Sequence, residues 1–241
     1  MTTELKQLWQ EAFGDGEAFI EGFFRTGFST DRCHYLLQDG DVAAALYWFD
    51  VFCGQQRLAY LYAVATKQAL RGQGLCRRLM EDTHQRLKAA GYSGAILVPG
   101  TPTLFTLYEK LGYTTCSYVK EFSCGASEAC GCRRLAGSEY AQLRRQHLPN
   151  GAVVQAGACV DFLETFCSFW AGEDWLLCGS VRQGALQVQE YLGPEEKAPQ
   201  ITAALGAEKA HFRTPGTERP FAMYYPLANT PAPKYFGLAM D

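Results

Sequence analysis

Residues 57–91 constrain the fold of this chain of 241 residues more than any other stretch. Positions 57–65 are apolar after Arg57 and include the aromatic and β-branched residues Tyr60, Tyr62 and Val64, which predicts a strand. Arg71-Gly72-Gln73-Gly74 follows, and apolar side chains then recur at helical spacing until Gly91. The pattern predicts a strand, a tight glycine turn and an amphipathic helix in direct succession.

The turn before this helix has the composition of an anion-binding site. Glycine lets successive N–H groups point outward at the helix N-terminus, where the helix dipole favours a phosphate. Arg71, Arg77 and Arg78 add positive charge. No Gly-Lys-Ser/Thr follows, so the turn is not a Walker A loop, and Arg77 occupies the third glycine position of a dinucleotide loop. An ordinary turn before a helix is the alternative for an isolated Gly-x-Gly.

A second motif follows about thirty residues later. Thr101 and Pro102 are typical of a helix start, and Gly112 of a helix end, which predicts a helix over residues 102–111. The motif at the end of this helix and directly after it reads Leu107-Tyr108-Glu109-Lys110-Leu111-Gly112-Tyr113. A short buried strand over 95–98 separates it from the first helix.

From Leu61 to Tyr113 the sequence resembles the GNAT superfamily of acetyl-CoA-dependent N-acetyltransferases. The family signature, Arg/Gln-x-x-Gly-x-Gly/Ala, here reads Arg71 to Cys76, with Cys76 in place of the final small residue. The helix that ends at Gly112 matches the second family motif. The resemblance implies an α/β (α+β) GNAT fold, with a mixed, mostly antiparallel sheet flanked by helices and a splayed cofactor-binding strand pair. A second, smaller α+β domain is expected beyond it.

The resemblance also implies roles for individual residues. In the family, the pantetheine arm of acetyl-CoA pairs with an exposed strand edge, and the Val64 N–H would polarise the thioester carbonyl. Tyr108 matches the general acid that protonates the CoA thiolate, while a core aromatic is the alternative. Thr101 stands where the family often has Asn, and helix capping competes for its hydroxyl. The implied cofactor-binding residues are Tyr62, Ala63, Val64, Thr66, Arg71, Gly72, Gln73, Gly74, Leu75, Cys76, Arg77, Thr101 and Tyr108.

The general base stays open at this point. The acceptor amine is protonated near pH 7 and must lose a proton before it attacks. Many family members carry an acidic residue in the strand that here spans 57–65, but this strand has none. Three options remain: Asp50 at the end of the preceding strand, a water chain past Tyr60 or Tyr62, or a carboxylate from the C-terminal half.

Composition excludes several other classes of protein. A net charge of −3 argues against non-specific nucleic-acid binding. The ten cysteines follow no secretory signal, and the longest apolar run, 42–49, is too short for a membrane span, so a cytoplasmic protein with reduced thiols is expected. The four histidines and the Cys124, Cys130 and Cys132 group lack common zinc spacing, so no metal is predicted. No Cys-His nucleophile arrangement occurs, which favours direct attack in a ternary complex.

The rest of the chain predicts a two-domain organisation. Helices are expected at 5–13, 18–24, 138–147, 160–170 and 195–205, and strands at 33–38, 41–52, 113–122, 175–182, 185–192, 209–213 and 221–227. Small residues and cysteines at 123–137 predict a linker. The expected parts are a GNAT acetyltransferase domain over 1–122, a linker over 123–136 and an accessory domain over 137–241.

The accessory domain resembles a degenerate second GNAT unit, because a strand, a helix and a strand follow in the same order. Glu195 and Glu196 stand at its helix start and would repel a pyrophosphate, so one CoA site per chain is predicted. The turn region also resembles the Eis-like multidomain acetyltransferases, in which a C-terminal carboxylate enters the active site. The chain is expected to be too short for their three domains, and a similar role for Asp241 is a further hypothesis.

The predicted function is transfer of acetyl from acetyl-CoA to a primary amine of a small molecule or peptide. The alternative is a non-catalytic acyl-CoA-binding sensor or interaction module on the same fold. A ribosomal-protein or protein N-terminal acetyltransferase differs from the first function only in its acceptor. Several aromatic residues are expected either in the core or as walls of the acceptor site, namely Tyr47, Trp48, Phe49, Tyr60 and Tyr62. No nucleic-acid or membrane partner is expected, and a homodimer stays open.

Overall fold

The structure is a computed structural model that describes residues 1–240. Its α-helices are α1 (Thr2–Phe13), α2 (Glu17–Thr26), α3 (Leu75–Ala89), α4 (Pro102–Glu109), α5 (Gly137–His147), α6 (Ala158–Leu163) and α7 (Ala198–Ala204). Its strands are β1 (Cys33–Gln38), β2 (Asp41–Cys53), β3 (Gln56–Thr66), β4 (Gly94–Leu97), β5 (Thr114–Gly125), β6 (Arg133–Leu135), β7 (Ser168–Ala171), β8 (Leu176–Arg182), β9 (Ala185–Leu192), β10 (Lys209–Pro215) and β11 (Arg219–Pro226). The predicted mixed α/β fold, with mostly antiparallel strands and flanking helices, is confirmed.

These residues form two compact units. Unit 1 contains residues 1–97, 101–114 and 223–232, and unit 2 contains 98–100, 115–222 and 233–240. Neither unit is continuous in sequence. The predicted limits of a catalytic domain, a linker and an accessory domain stay a prediction, but residues 1–122 do not include every strand of unit 1.

Unit 1 is built on a sheet with the strand order β1-β2-β3-β4-β11. Asp39 and Gly40, with φ of 55° and 91°, join β1 to β2 in the two-residue turn that the sequence predicts. The β3 and β4 strands are parallel, with α3 as the crossover helix between them. The other pairs in this sheet are antiparallel. β2 is buried throughout 42–49, so the longest apolar run of the sequence is the centre of this sheet.

The two faces of the unit 1 sheet are covered by different elements. On one face, α3 buries Leu79, Met80 and Leu87 against alternate side chains of the strands. On the other face, α1 and α2 pack aromatic rings, including Trp9 and Phe23, against β2 and β3. Burial of apolar surface on both faces explains why the central strands tolerate almost no polar residues.

Unit 2 repeats the same arrangement with a different set of strands. Its strand order is β5-β10-β9-β8-β7-β6, and only β9 and β10 are parallel. Helix α7 connects these two strands and is packed on the core that contains Leu186, Ile201 and Phe212. The predicted order of strand, helix and strand in the C-terminal half is confirmed.

The sheets of the two units exchange strands along the chain. β5 follows α4 in sequence but pairs with β10 in unit 2. Residues 223–226 of β11 follow β10 in sequence but pair with β4 in unit 1. Each sheet therefore needs residues from the other half of the sequence.

One helix predicted in the C-terminal half is wrong in its extent. The helix predicted over 160–170 ends at Leu163, and residues 168–171 form β7, which pairs with β8. Phe169 is fully buried in this strand, so sheet pairing and burial outweigh the helical spacing of its neighbours. The predicted linker is also partly regular, because β5 extends to Gly125 and residues 133–135 form β6.

Unit 2 encloses an ion pair in its interior. Arg144 on α5 and Glu190 on β9 are each 1% exposed, and Nε and Nη2 of the guanidinium donate to the carboxylate at 2.5 and 2.8 Å. The hydroxyls of Tyr140 and Tyr235 donate to the same carboxylate, and Arg144 Nη1 donates to the Val153 carbonyl. The network ties the C-terminal segment that carries Tyr235 to α5 and β9.

Residues 1–240 contain neither a membrane-spanning helix, nor a disulfide bond, nor a metal-binding cluster. None of the helices combines the length and the apolar character needed to cross a membrane. No disulfide bond joins any two of the ten cysteines. No group of three or more His, Cys, Asp or Glu side chains is arranged to hold a metal ion.

Candidate active site

β3 is irregular close to its C-terminal end. Tyr62 lies opposite Tyr47 of β2, whereas Ala65 lies opposite Ala45, so β3 has one residue more than its partner over this interval. Ala63 lies within this β-bulge and has a φ of 49°, in the left-handed region that alanine seldom adopts. Bulges turn backbone groups out of the regular ladder, and strained positions of this kind concentrate at functional sites.

The same part of β3 diverges from β4. The parallel pairing joins Leu58–Tyr60 to Gly94–Ile96, and β4 ends at Leu97 while β3 continues to Thr66. Beyond Tyr60, the two strands form no further pairs within residues 1–240. The edge of β3 that faces β4 is therefore open to an added strand over the predicted arm-binding residues, Tyr62, Ala63, Val64 and Thr66.

The glycine turn follows a short 3-10 helix at Gln68–Leu70. Gly72 and Gly74 each have a φ of 79°, which favours glycine, and Gly74 is the N-cap of α3. Across the described chain, no protein acceptor receives the N–H groups of residues 72–77, and the first bonded N–H is that of Arg78, 3.0 Å from the Gly74 carbonyl. A helix start of this kind attracts an anion.

One residue of the predicted pyrophosphate turn is placed differently. The Arg71 N–H donates to the Gln68 carbonyl at 3.3 Å, so the run of available N–H groups begins at Gly72 and not at Arg71. The Arg71 side chain donates to the Thr66 carbonyl at 3.3 Å and stays exposed. Arg71 thus contributes charge and turn structure, but its backbone N–H is already used.

Two exposed arginines stand beside the turn, each next to an acidic residue one helical turn further on. Arg77 lies 3.6 Å from Glu81 and Arg78 lies 3.8 Å from Asp82, and all four side chains are well exposed. Exposed pairs at this spacing contribute little to stability. Both guanidinium groups can therefore move towards an anion at the start of α3.

Leu75 and Cys76 turn inward from the glycine turn. Both side chains are half-buried and pack against the core of unit 1. Burial raises the pKa of the Cys76 thiol, so it stays neutral and brings no negative charge to the helix start. Cys76 therefore replaces the usual Gly or Ala of the motif without opposing anion binding.

The ring of Tyr108, on α4, is buried in the core of unit 1. The residue is 6% exposed and its ring meets that of Tyr113 edge to face, with centroids 5.6 Å apart. Its hydroxyl is not fully enclosed and makes no hydrogen bond to any residue of the described chain. Burial, with a smaller contribution from the nearby Cys76 thiol, raises the pKa of Tyr108. Tyr108 is therefore a core residue that keeps its proton and leaves its hydroxyl available.

Thr101 stands directly before α4. It is the N-cap residue by position, but its side chain caps no helix N–H. Its hydroxyl lies 3.0 Å from that of Thr103. The Thr101 hydroxyl is therefore not used in helix capping. It contacts the Thr103 hydroxyl instead, and both residues are exposed.

Asp50, one of the candidates for the general base, is held by Arg57 and Tyr92. It lies opposite Ala59 on β3, five positions from Val64, and five strand residues span about 16 Å. Its carboxylate already accepts hydrogen bonds from Nε and Nη2 of Arg57, at 3.1 and 2.9 Å, and from the Tyr92 hydroxyl at 2.5 Å. A role of Asp50 as the general base stays a prediction, and its distance from Val64 and its hydrogen bonds argue against it. Of the other options, Asp241 lies outside the described residues.

Most of the aromatic residues near the predicted acceptor strands belong to the core. Trp9, Phe23, Tyr47, Phe49 and Tyr60 are each at most 3% exposed. Their rings lie 4.7 to 6.2 Å from a neighbour in the cluster. Only the half-buried Tyr62 among the predicted wall residues is partly accessible. The aromatic cluster accordingly supports the strands and provides little acceptor surface.

Sequence reasoning missed the residues that surround Tyr108. The sequence presents His84 as an isolated histidine, yet its Nε2 lies 2.7 Å from the Tyr113 hydroxyl. Tyr225 stacks on the His84 ring at 4.0 Å. The spacing of apolar residues on α3 places position 84 near the core, but no local signal connects it with a residue of β11.

The corresponding turn of unit 2 differs from the glycine turn of unit 1, although the strands beside it diverge in the same way. β9 and β10 pair only over Ala185–Gln187 and Lys209–His211. Beyond these pairs, Thr214 Oγ1 on β10 donates to the Tyr191 carbonyl on β9 at 3.0 Å and bridges the gap. The Tyr191 hydroxyl donates to the Pro194 carbonyl at 2.7 Å, across the turn itself.

The turn of unit 2 is also closed by side chains and by charge. A Cβ at Gly193 would lie 2.4 Å from the Cβ of Trp175 and 2.8 Å from the Tyr191 hydroxyl. Glu195 and Glu196 occupy the first turn that follows. A pyrophosphate would meet rings and carboxylates here, in contrast to the open backbone at Gly72 and Gly74.

Solved structures share the fold over more than nine-tenths of this chain. A GCN5-related N-acetyltransferase from Kribbella flavida superposes with a TM-score of 0.69 at 19% identity, over 92% of this chain and 67% of that protein. A GCN5-related N-acetyltransferase from Anabaena variabilis gives a TM-score of 0.70 at 15% identity, over 93% and 70%. Eis1 from Mycobacterium abscessus gives 0.64 at 9% identity, over 92% and 70%.

A sequence comparison with curated proteins gave no match. A model of the acetyltransferase (GNAT) domain family matches residues 2–116. These residues include both sequence motifs, the open end of β3 and the glycine turn. Residues 2–116, a little under half of this chain, therefore match the GNAT acetyltransferase domain family.

Proposed function

We propose that this protein transfers the acetyl group of acetyl-CoA to a primary amine of a small molecule or peptide, by direct attack in a ternary complex. The strongest support for this proposal is the position of two backbone features next to each other. The run of available N–H groups at residues 72–77 directly follows the open, bulged end of β3. The two features suit the two chemically different parts of CoA, a pyrophosphate and an extended amide-containing arm.

The proposed binding mode uses backbone more than side chains. The N–H groups from Gly72 onward would hold the pyrophosphate, with Arg71 and Arg77 beside it. The amides of the arm would pair with β3 over residues 62–66 as an added strand. Backbone binding explains why the glycine positions matter, since a β-carbon at φ of 79° would strain the turn.

In the proposed reaction, the amine attacks the thioester carbonyl while the Val64 N–H stabilises the oxygen that becomes negative. A C–N bond forms, the C–S bond breaks, and the CoA thiolate leaves. Tyr108 donates its proton to this thiolate. In this proposal, the proton of the attacking amine passes to water, along a path beside the half-buried Tyr62.

The proposal predicts one acetyl-CoA site per chain. Support comes from the contrast between the open turn at Gly72 and the turn at Gly193, where rings and two carboxylates stand. Isothermal titration should give a stoichiometry of one. Arg77→Glu places a negative charge beside the pyrophosphate and should weaken binding about tenfold or more.

Arg182→Glu is the matched control for this titration, since the same charge change is made on an exposed residue of unit 2. It should leave the affinity for acetyl-CoA unchanged. A stoichiometry of two would contradict the single site. Equal losses of affinity in Arg77→Glu and Arg182→Glu would show that the net charge of the protein, and not the position of Arg77, determines binding.

The reaction itself is tested by measuring CoA release from acetyl-CoA with a panel of amines. The panel should contain small primary amines, polyamines and peptides with a free α-amino group. Because the chain has ten thiols of its own, CoA and the acetylated amine are better separated by chromatography than titrated with a thiol reagent. We expect at least one amine to give equal amounts of CoA and acetylated product.

The alternative function, an acyl-CoA-binding sensor, makes a different prediction in the same experiment. It keeps the single binding site in the titration but releases no CoA with any amine. Loss of both binding and release would contradict both functions. Binding at a stoichiometry of one with amine-dependent release supports the acetyltransferase.

A further inference from the structure

Four aromatic side chains from four parts of the chain meet inside unit 1. They are His84 on α3, Tyr108 on α4, Tyr113 directly before β5, and Tyr225 on β11. The Tyr108 and Tyr113 rings meet edge to face at 5.6 Å, and the Tyr113 hydroxyl lies 2.7 Å from Nε2 of His84. The His84 ring is stacked on Tyr225 at 4.0 Å, with 10° between their planes.

We infer that His84, Tyr113 and Tyr225 form an aromatic clamp that positions the hydroxyl of Tyr108 for proton transfer. The inference rests on the proposed function, because it assigns a role to residues that act through the proposed acid. It also assigns a part in the reaction to the C-terminal half of the sequence, since Tyr225 comes from β11.

The clamp is closely packed and leaves Tyr113 little freedom. Tyr113 is 2% exposed and His84 is 7% exposed. Tyr225 contacts both rings, and its centroid lies 5.4 Å from that of Tyr113. A Cβ at Gly112, where φ is 90°, would lie 3.0 Å from the Tyr225 ring, so glycine before Tyr113 lets the rings approach.

The chemistry of His84 suits a fixed hydrogen bond better than a charge switch. Burial lowers the pKa of His84 to about 4, so the imidazole is neutral at physiological pH. A neutral imidazole shares one hydrogen bond with the Tyr113 hydroxyl and places no positive charge near the acid. His34 on β1 contacts the Thr83 hydroxyl at 2.8 Å instead and makes no ring contact with the four side chains within the described residues.

The clamp acts on Tyr108 by position and not by carrying its proton. No hydrogen bond links the Tyr108 hydroxyl to Tyr113 or His84 in the described residues, and the contact is between ring faces and edges. A general acid works only within hydrogen-bond reach of its target, and a small displacement lowers the rate strongly. A fixed Tyr113 ring limits the directions in which Tyr108 can move.

The test compares His84→Leu, which removes the hydrogen bond and the stacked ring, with His84→Gln, whose amide can reach Tyr113. We expect His84→Leu to lower kcat about tenfold without changing the KM for acetyl-CoA, and His84→Gln to recover most of that loss. The same His84→Leu change in a Tyr108→Phe background should cause no further loss, because the group that the clamp positions is absent. His34→Leu is the matched control in the same unit and should leave kcat unchanged.

Three other results for kcat would contradict the proposed clamp. If His84→Leu lowers kcat equally in the wild-type and the Tyr108→Phe backgrounds, its effect is a general structural one. If it leaves kcat unchanged in the wild-type background, the clamp does not position Tyr108. If Tyr108→Phe itself leaves kcat unchanged, the proposed acid fails and the clamp fails with it. If His84→Leu does not fold, Tyr113→Phe removes the same hydrogen bond by deleting one oxygen atom, and the same comparison of backgrounds applies.

Discussion

Replacing Tyr108 by Phe should lower the turnover of acetyl-CoA and amine about hundredfold, the usual effect of a lost general acid. The ring and its contact with Tyr113 are kept, and only the hydroxyl is removed. Binding of acetyl-CoA depends on the glycine turn and on β3 in this proposal, so its dissociation constant should change little. The measurement is kcat by chromatography of CoA, together with calorimetric binding of acetyl-CoA.

Tyr118→Phe is the control for this substitution, since Tyr118 is 40% exposed on β5. It should leave kcat unchanged. Burial raises the pKa of Tyr108, so the acid keeps its proton as the pH rises, and kcat should show no loss from Tyr108 up to about pH 10. An unchanged kcat in Tyr108→Phe would contradict its role as the acid and leave the ring with a packing role only.

Replacing Arg144 by Met should lower the free energy of unfolding of unit 2 by about 3 to 5 kcal/mol. The substitution leaves the Glu190 carboxylate in the interior with only the hydroxyls of Tyr140 and Tyr235 as partners. Burial of an unpaired charge is costly, and the C-terminal segment that carries Tyr235 loses a fixed anchor. Urea denaturation followed by fluorescence reports on this change, because Trp170 and Trp175 both lie in unit 2.

A double variant distinguishes the cost of the unpaired charge from the loss of packing. Arg144→Met with Glu190→Leu removes both charges and should recover much of the stability lost in the single variant. Lys197→Ala breaks the exposed pair with Asp174 and should cost less than about 1 kcal/mol. A loss in Arg144→Met no larger than that in Lys197→Ala would show that the buried pair contributes little.

The local elements of unit 1 could be predicted from sequence because their signals are local. Asp39 and Gly40 both adopt the positive φ that a two-residue hairpin turn requires. α3 begins after Gly74, and its apolar stripe is the face that packs on the sheet. Backbone conformation and side-chain periodicity depend on neighbours within a few residues, so a single sequence contains them.

Local sequence patterns do not predict pairing between residues that are distant in the sequence. The C-terminal half of the helix predicted over 160–170 is largely β7, because pairing with β8 and burial of Phe169 outweigh periodicity. Asp50 is chemically suited to be a base, but strand register places it far from Val64 and beside Arg57. Register and ion pairing join residues that are distant in the sequence, and no local pattern encodes them.

The glycine turn before α3 follows from the sequence alone, since glycine at positions 72 and 74 and a helix start directly after them are sufficient to expose backbone N–H groups. The sequence also indicated Tyr108 through its motif. Which residues surround Tyr108, and which half of the chain completes unit 1, depend instead on contacts between residues that are distant in the sequence. Residues 223–226 pair with β4 and bring Tyr225 onto His84, because a sheet edge is satisfied by hydrogen bonds from whichever strand reaches it, however distant in sequence.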